Sequence, residues 1–357
     1  MMCSRGNLRE GFRPLAMCLR PALGRAKGFV RVASLFVGRL KIIPTGRYDF
    51  TAGGVLAQGC GRYNCARCFS REAVVMEIQR KRLGIALSGG GARGLVHIGV
   101  LQVLDEAGLP VDFLAGTSMG GLIAAGYAAG LSADEMAEMA QTHGLRLRSL
   151  WRFFDLGRNR QGLIRGEEIE AWVRGVLGRK TFADLRIPLT LMATDLNAGR
   201  EVWLTEGCLA PAVRATMSIP GLLAPVTRDG MRLVDGGLLN NLPVDVVRKM
   251  GADVVIGVDV YSDNAASFWQ YLAHKRLIAS TFGGIIANLG DALNLVIRAH
   301  SVERFEKYPP DFFLKPPIPP QITVISGYDH AAELIALGRE AAKEVLPELR
   351  EALAGTS

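Results

Sequence analysis

Between Ile85 and Gly121 the chain twice runs through the same three events: a short apolar run, a glycine cluster, then a stretch with helical spacing. "LGIALS" leads through "GGGARG" into "GLVHIGVLQVLDEAG", and "VDFLAG" leads through "TSMGG" into "LIAAGYAAGL". Apolar runs this short, bounded by glycine, read as strands buried on both faces. Leu95, Ile98 and Leu101 share one face of the first predicted helix, which Gly108 closes. The second predicted helix is apolar all round, which predicts burial. Strand, helix, strand, helix in this rhythm implies an α/β fold, a mostly parallel sheet with helices on both faces.

The alternation continues. "EEIEAWVRGVLG" reads as a helix, and "IPLTLMATDL" as a strand that pairs with "EVWLTEG" across "NAGR". "LAPAVRATMS" is a short helix ended at Ile219-Pro220-Gly221, "MRLVDGG" a strand, "PVDVVRKMG" a helix with Pro243 in its first turn, and "ADVVIGVDV" the last core strand. Beyond Tyr261, "LIASTFGGIIANLGDALNLVIRAHS" reads as a long helix. Its Ile285, Ile286, Leu289, Leu293 and Val296 recur at helical spacing, as core or as the wall of an acyl-chain pocket. "YPPDFFLKPPIPPQ" reads as a Pro-rich connector, and an amphipathic helix ends the chain. The expected divisions are a basic, partly disordered extension at 1–82, a catalytic domain at 83–260 and a helical region at 261–357 that completes it.

Charge supports the first boundary. Residues 1–83 hold 16 Lys and Arg against 4 Asp and Glu, so the remaining 274 hold 26 against 30. The net charge of +8 thus belongs to the extension, and a mildly acidic remainder argues against a nucleic-acid-binding core. The extension lacks the continuous apolar region of a secretory signal. It reads as a solvated tail, a contact for anionic lipid, an organellar transit peptide, or a stretch upstream of a start at Met76. No apolar run reaches the ~18–20 residues of a membrane span, so the expected location is cytoplasmic, peripheral to a membrane. Cys60, Cys65 and Cys68 have a spacing seen in iron–sulfur loops, but three ligands of this kind read first as unpaired thiols.

Gly89, Gly91 and Gly94 match G-x-G-x-x-G, the dinucleotide fingerprint. That reading needs an acidic residue at the end of the second strand. The strand instead ends in Gly116-Thr117-Ser118, with Asp112 at its start, and no G-K-[ST] follows the loop. Gly116-Thr117-Ser118-Met119-Gly120 is G-x-S-x-G between a strand and a helix, the context of a nucleophile elbow. The upstream glycine loop then offers backbone N–H groups to the oxyanion of an acyl intermediate. A nucleophilic serine needs a base. None of the five histidines (His97, His143, His274, His300 and His330) sits in a comparable strand-end turn. Asp235, followed by Gly236 and Gly237, does, and the parallel-sheet reading places it on the same edge as Ser118. Asp195 and Ser218 are lesser candidates: a turn-forming acid, and a serine without the small neighbours of an elbow.

G-G-G-x-R-G, G-x-S-x-G and D-G-G in this order resemble the patatin-like phospholipases, and "MATDLNAGREVWL" and "AVRATMSIPGLLAPV" are similar to the bacterial branch related to neuropathy target esterase. The resemblance implies a three-layer sandwich and a Ser–Asp dyad without histidine. It implies Ser118 as nucleophile and Asp235 as base, with the amides of Gly90 and Gly91, joined by that of Arg93, as the oxyanion hole. It further implies a phospholipid or lysophospholipid substrate and no metal or cofactor. The alternatives are an α/β-hydrolase with a Ser–Asp–His triad using His274, His300 or His330, and a non-catalytic regulatory protein on the same fold.

Overall fold

The computed structural model describes residues 80–150, 166–261, 281–320, 322 and 327–354, with backbone alone for 143–150 and 281–290. The chain divides into two units, 1–79 and 80–357, and everything below concerns the second. The readings made on the extension, including Cys60, Cys65 and Cys68, lie outside the described residues.

The elements in chain order are β1 (Leu83–Leu87), α1 (Val96–Glu106), β2 (Phe113–Gly116), α2 (Ser118–Ala128), α3 (Ala133–Leu150), α4 (Glu167–Leu177), β3 (Leu189–Asp195) and β4 (Arg200–Leu204). There follow α5 (Leu209–Thr216), β5 (Val226–Arg228), β6 (Met231–Asp235), α6 (Val244–Met250), β7 (Val254–Val258), α7 (Thr281–Lys307), β8 (Phe312–Leu314) and α8 (Ala331–Ala354). Seven strands follow the order β5-β6-β3-β2-β1-β7-β8, and β4 also pairs with β3. The pairs from β3 through β2, β1 and β7 to β8 are parallel, whereas β4 and β6 join β3 antiparallel and β5 joins β6 antiparallel.

Side chains alternate between two cores, as the pleat requires. Leu83, Ile85 and Leu87 of β1 face a large core that also takes residues from α1 to α5 and α8. Ala86 and Ala115 face a smaller one with Val244, Val246 and Val247 at α6. Small residues on that face let α6 lie close to the sheet. The α1–α8 crossing is closer still. A Cβ on Gly99 would fall 1.9 Å from the Ile335 carbonyl oxygen, and one on Gly338 would fall 2.0 Å from that of Val96. Only glycine permits this backbone-to-backbone contact.

Two expectations change, and the polar segment after Leu131 is the helix α3. The Pro-rich connector contains β8, which extends the sheet beside β7. The long helix α7 exists, but its Val296 is 42% exposed and Leu295 68%, so this part of its apolar spacing does not mark a buried face. Ile285, Ile286 and Leu289 lie in the stretch described by backbone alone. Asp112 pins the start of β1, accepting from both guanidinium nitrogens of Arg80 at 2.8 Å and from the Leu83 N–H at 2.7 Å.

Candidate active site

β2 ends at Gly116 and α2 begins at Ser118. Ser118 has φ 53°, in the left-handed region that a side chain rarely adopts. The turn needs its flanking glycines. A Cβ on Gly116 would fall 2.6 Å from the Gly120 carbonyl oxygen, and one on Gly120 2.4 Å from that of Leu87. Two further bonds hold the turn: the Ser118 N–H donates to Thr216 Oγ1 at 2.9 Å, and Thr117 Oγ1 donates to the Asn240 carbonyl at 2.9 Å. The positive end of α2 therefore starts at the serine itself.

Asp235 arrives by a different route from the one the sequence suggested. Its strand β6 is antiparallel to β3, so its C-terminal end does not belong to the shared edge of the parallel strands. Register supplies the meeting instead. Gly116 lies opposite Leu191 of β3, and Asp235 lies opposite Ala193, two residues further along. β3 outruns β2, β6 pairs with the overrun, and Asp235 comes to the level of Ser118. The Ser118 hydroxyl hydrogen-bonds to the Asp235 side chain. Gly237 N–H donates to Asp235 Oδ1 at 2.8 Å, and the Asp235 N–H donates to the Ser218 carbonyl at 2.9 Å. Burial pushes the Asp235 carboxyl up to about 6, against the opposing pull of the bonds from Ser118 and Gly237. A carboxylate at that value holds a proton far better than an exposed one and is still ionised at neutral pH.

The glycine loop stands against the serine: a Cβ on Gly89 would fall 3.1 Å from Ser118 Cβ. Gly91–Leu95 forms a single 3-10 turn with Gly90 before it, so its leading N–H groups have no partner within the turn. The Arg93 side chain is buried and points away, donating to the Ile322 carbonyl at 2.9 Å.

Asn240 and Asn241 were not singled out in the sequence, yet they join the three motifs. The Asn240 carbonyl takes the Thr117 hydroxyl, the Asn241 carbonyl takes the Gly89 N–H at 3.3 Å, and both follow Asp235 in one short loop. That loop is clamped from outside. Arg304 of α7 donates to the Leu239 carbonyl at 2.8 Å, to Asp245 at 3.0 Å and to Glu201 at 2.6 Å, and Asn240 Nδ2 reaches both carboxylates.

The remaining candidates sit elsewhere. Asp195 caps a turn, taking the N–H groups of Asn197 and Arg232 at 3.0 and 3.2 Å. Ser218 Oγ is buried and bonded to Arg214, donating to its carbonyl at 2.8 Å. His97 is fully buried with Nε2 on the Ser88 carbonyl at 2.9 Å, and burial lowers it to about 4. His300, half-buried, faces Glu303, and His330, exposed, faces Glu333. His274 and the His143 side chain lie outside the described residues. Among the described residues no group of His, Cys, Asp and Glu is arranged to hold a metal ion, and no helix is long and apolar enough to cross a membrane.

Comparison with known proteins agrees with the geometry. A protein from Mycobacterium tuberculosis described as an uncharacterized NTE family protein is 41% identical over 184 residues, covering 52% of this chain and 50% of its own length. "Lysophospholipase NTE1" of Pyricularia oryzae is 30% identical over 284 residues, covering 76% of this chain but 19% of its own length. The chain therefore spans half or less of these relatives. Among solved structures, VipD from Legionella pneumophila aligns with a TM-score of 0.43 at 14% identity, covering 76% of this chain and 67% of VipD, too distant to add to what the strand order shows. The family model "Patatin-like phospholipase" matches residues 85–248, a span that runs from the glycine loop through Ser118 to Asp235 and the Asn240–Asn241 clasp, so this stretch of the chain is a patatin-like phospholipase domain.

Proposed function

We propose that the protein is a serine lipid acyl hydrolase acting on phospholipid or lysophospholipid esters, with Ser118 as nucleophile and Asp235 as general base. The observation that carries this reading is Ser118, held at a left-handed backbone φ of 53°, with its hydroxyl bonded to a buried carboxylate raised to about 6. Asp235 takes the hydroxyl proton as Ser118 Oγ attacks the ester carbonyl carbon. The carbonyl electron pair moves onto oxygen, and the amides of Gly90, Gly91 and Arg93 receive that charge. The pair returns, the carbon–alkoxy bond breaks, and Asp235 passes its proton to the departing alkoxide. A water then repeats the sequence on the acyl-serine, releasing the carboxylic acid and restoring the hydroxyl. The Ser118 N–H is engaged by Thr216, which leaves the oxyanion to the glycine loop. The relative named as a lysophospholipase supports the substrate class.

Hydrolysis of p-nitrophenyl acyl esters and of defined lipids tests the reading. Ser118→Ala is expected to lower kcat/KM by at least about three orders of magnitude. Retained hydrolysis in that variant, or failure of a fluorophosphonate probe to label Ser118 in the wild type, overturns it; the latter result points to a non-catalytic protein on the same fold.

A further inference from the structure

Behind the glycine loop, between α1, α2, α3 and α4, lies a cavity of about 60 Å³ whose lining, among the described residues, is apolar apart from the indole N–H of Trp172. It touches both halves of the site through their next residues in the chain. Met119 follows Ser118, Leu95 follows Gly94, and both line it. From Met119 it continues along one face of α2, past Leu122 and Ile123 to Gly126. That stretch of helix spans roughly 10 Å at ~1.5 Å per residue. An apolar cavity lined by the residue next to the nucleophile suits a chain attached to the reacting carbonyl.

We propose that this cavity receives the acyl chain of the substrate and sets the length the enzyme prefers. The proposal rests on the ester-hydrolase reading above and goes beyond it. An apolar tail is the occupant because the lining residues offer no charge, hydroxyl or carboxamide, and a polar head group would lose its hydration there uncompensated. The volume sets a scale. A water-sized group needs ~10–15 Å³ measured this way, so the cavity holds about four to six such groups. That matches a medium-length segment rather than a whole long chain. Met136 and Met139, two thioethers on the α3 wall, let it widen, because methionine shifts among rotamers at low cost. Among the described residues, the long helix α7, the sequence's candidate for an acyl-chain wall, supplies none of the lining.

Gly126 is where a side chain can be added to fill the cavity at the end of α2 away from Ser118. A Cβ there would sit 3.1 Å from Met136 Sδ, a flexible neighbour, and the glycine has no unusual φ. Gly126→Leu fills that end, whereas Met136→Ala enlarges it. The experiment is kcat/KM for p-nitrophenyl acetate, octanoate and palmitate on wild type and both variants. Each methylene buried is worth a factor of about four, so burying four to six of them should make wild type favour octanoate over acetate by roughly two and a half to three and a half orders of magnitude. Gly126→Leu is expected to cut the octanoate-to-acetate ratio at least tenfold, and Met136→Ala to raise the palmitate-to-octanoate ratio severalfold. General damage lowers all three esters together and leaves these ratios alone, so opposite shifts are the signature. If wild type cleaves the esters through Ser118 and neither ratio moves by more than twofold in either variant, the cavity is not the acyl site and the hydrolase reading stands. If no ester is cleaved through Ser118 in wild type, the hydrolase reading itself fails. Should one variant not fold, the other alone decides.

Discussion

The two halves of the site are built by opposite means. Ser118 is placed by local backbone: a strand end, a left-handed residue, and two glycines whose missing side chains let Gly116, Gly120 and the end of β1 touch. Asp235 is placed by distant partners: antiparallel register against β3, then the loop at 236–241 held by Arg304, Asp245 and Glu201 from three other elements. Damage to the first half is therefore expected to be steep and local. Damage to the second is expected to be graded and shared with stability.

The largest contrast comes from the elbow. Gly120→Val puts a branched side chain where even a Cβ falls 2.4 Å from the Leu87 carbonyl oxygen and 2.5 Å from that of Ser88. Both neighbours are backbone at the end of the central strand and cannot step aside. The variant should lose at least about 10³ in kcat/KM, with a stability loss of about 3 kcal/mol or more by chemical denaturation. Near-normal activity would break the claim that the turn is sterically dictated.

On the base side, Arg304→Met removes one cationic partner from Asp245, which is 3% exposed, and leaves it Lys249 and Asn240. The expected cost is about 1–3 kcal/mol, less than for a carboxylate stripped of every partner. Activity should fall about tenfold through kcat as the 236–241 loop loosens around Asp235. Arg304→Lys should recover part of the stability but not the three-way contact, because an ammonium does not present the guanidinium fork. A loss in Arg304→Met as steep as at Gly120 would erase the distinction between the halves.

The smallest effects are expected at the histidines. His300→Gln and His330→Gln alter groups paired with Glu303 and Glu333 on their own helical turns. Each should keep activity within about twofold and stability within ~0.5 kcal/mol. A hundredfold loss at either would restore a histidine to the mechanism.

The same divide explains what was legible in the sequence. The glycine loop, the elbow and the D-G-G turn are local patterns, so Gly89 to Gly94, Ser118 and Asp235 stood out. The strands β1, β2, β3, β6 and β7 did too, because apolar runs bounded by glycine have few other readings. The reason Asp235 meets Ser118 did not. It depends on β3 outrunning β2 and on the direction of β6, neither of which has a local signal. Asn240, Asn241 and Thr216 were missed because their backbone carbonyls, carboxamides and one hydroxyl reach partners far away in the chain, with no local spacing to mark them. The β8 strand was hidden among prolines, and only its partner β7 reveals it as an edge. The exposed Val296 shows the converse error: helical spacing of apolar residues marks a face without saying what covers it.

The central claim is that Asp235 is the base that activates Ser118. Labelling of Ser118 by a fluorophosphonate, followed as a rate from pH 4 to 9, tests it without a lipid substrate. Burial raises the Asp235 carboxyl, so the proton that blocks the base leaves only as pH climbs past about 6. Wild type should label slowly below that value, rise about tenfold per pH unit on approach, and level off above it. Asp235→Asn should label at least about a hundredfold more slowly at pH 8 and show no such rise. Wild-type rates and the same pH profile in Asp235→Asn would contradict the account.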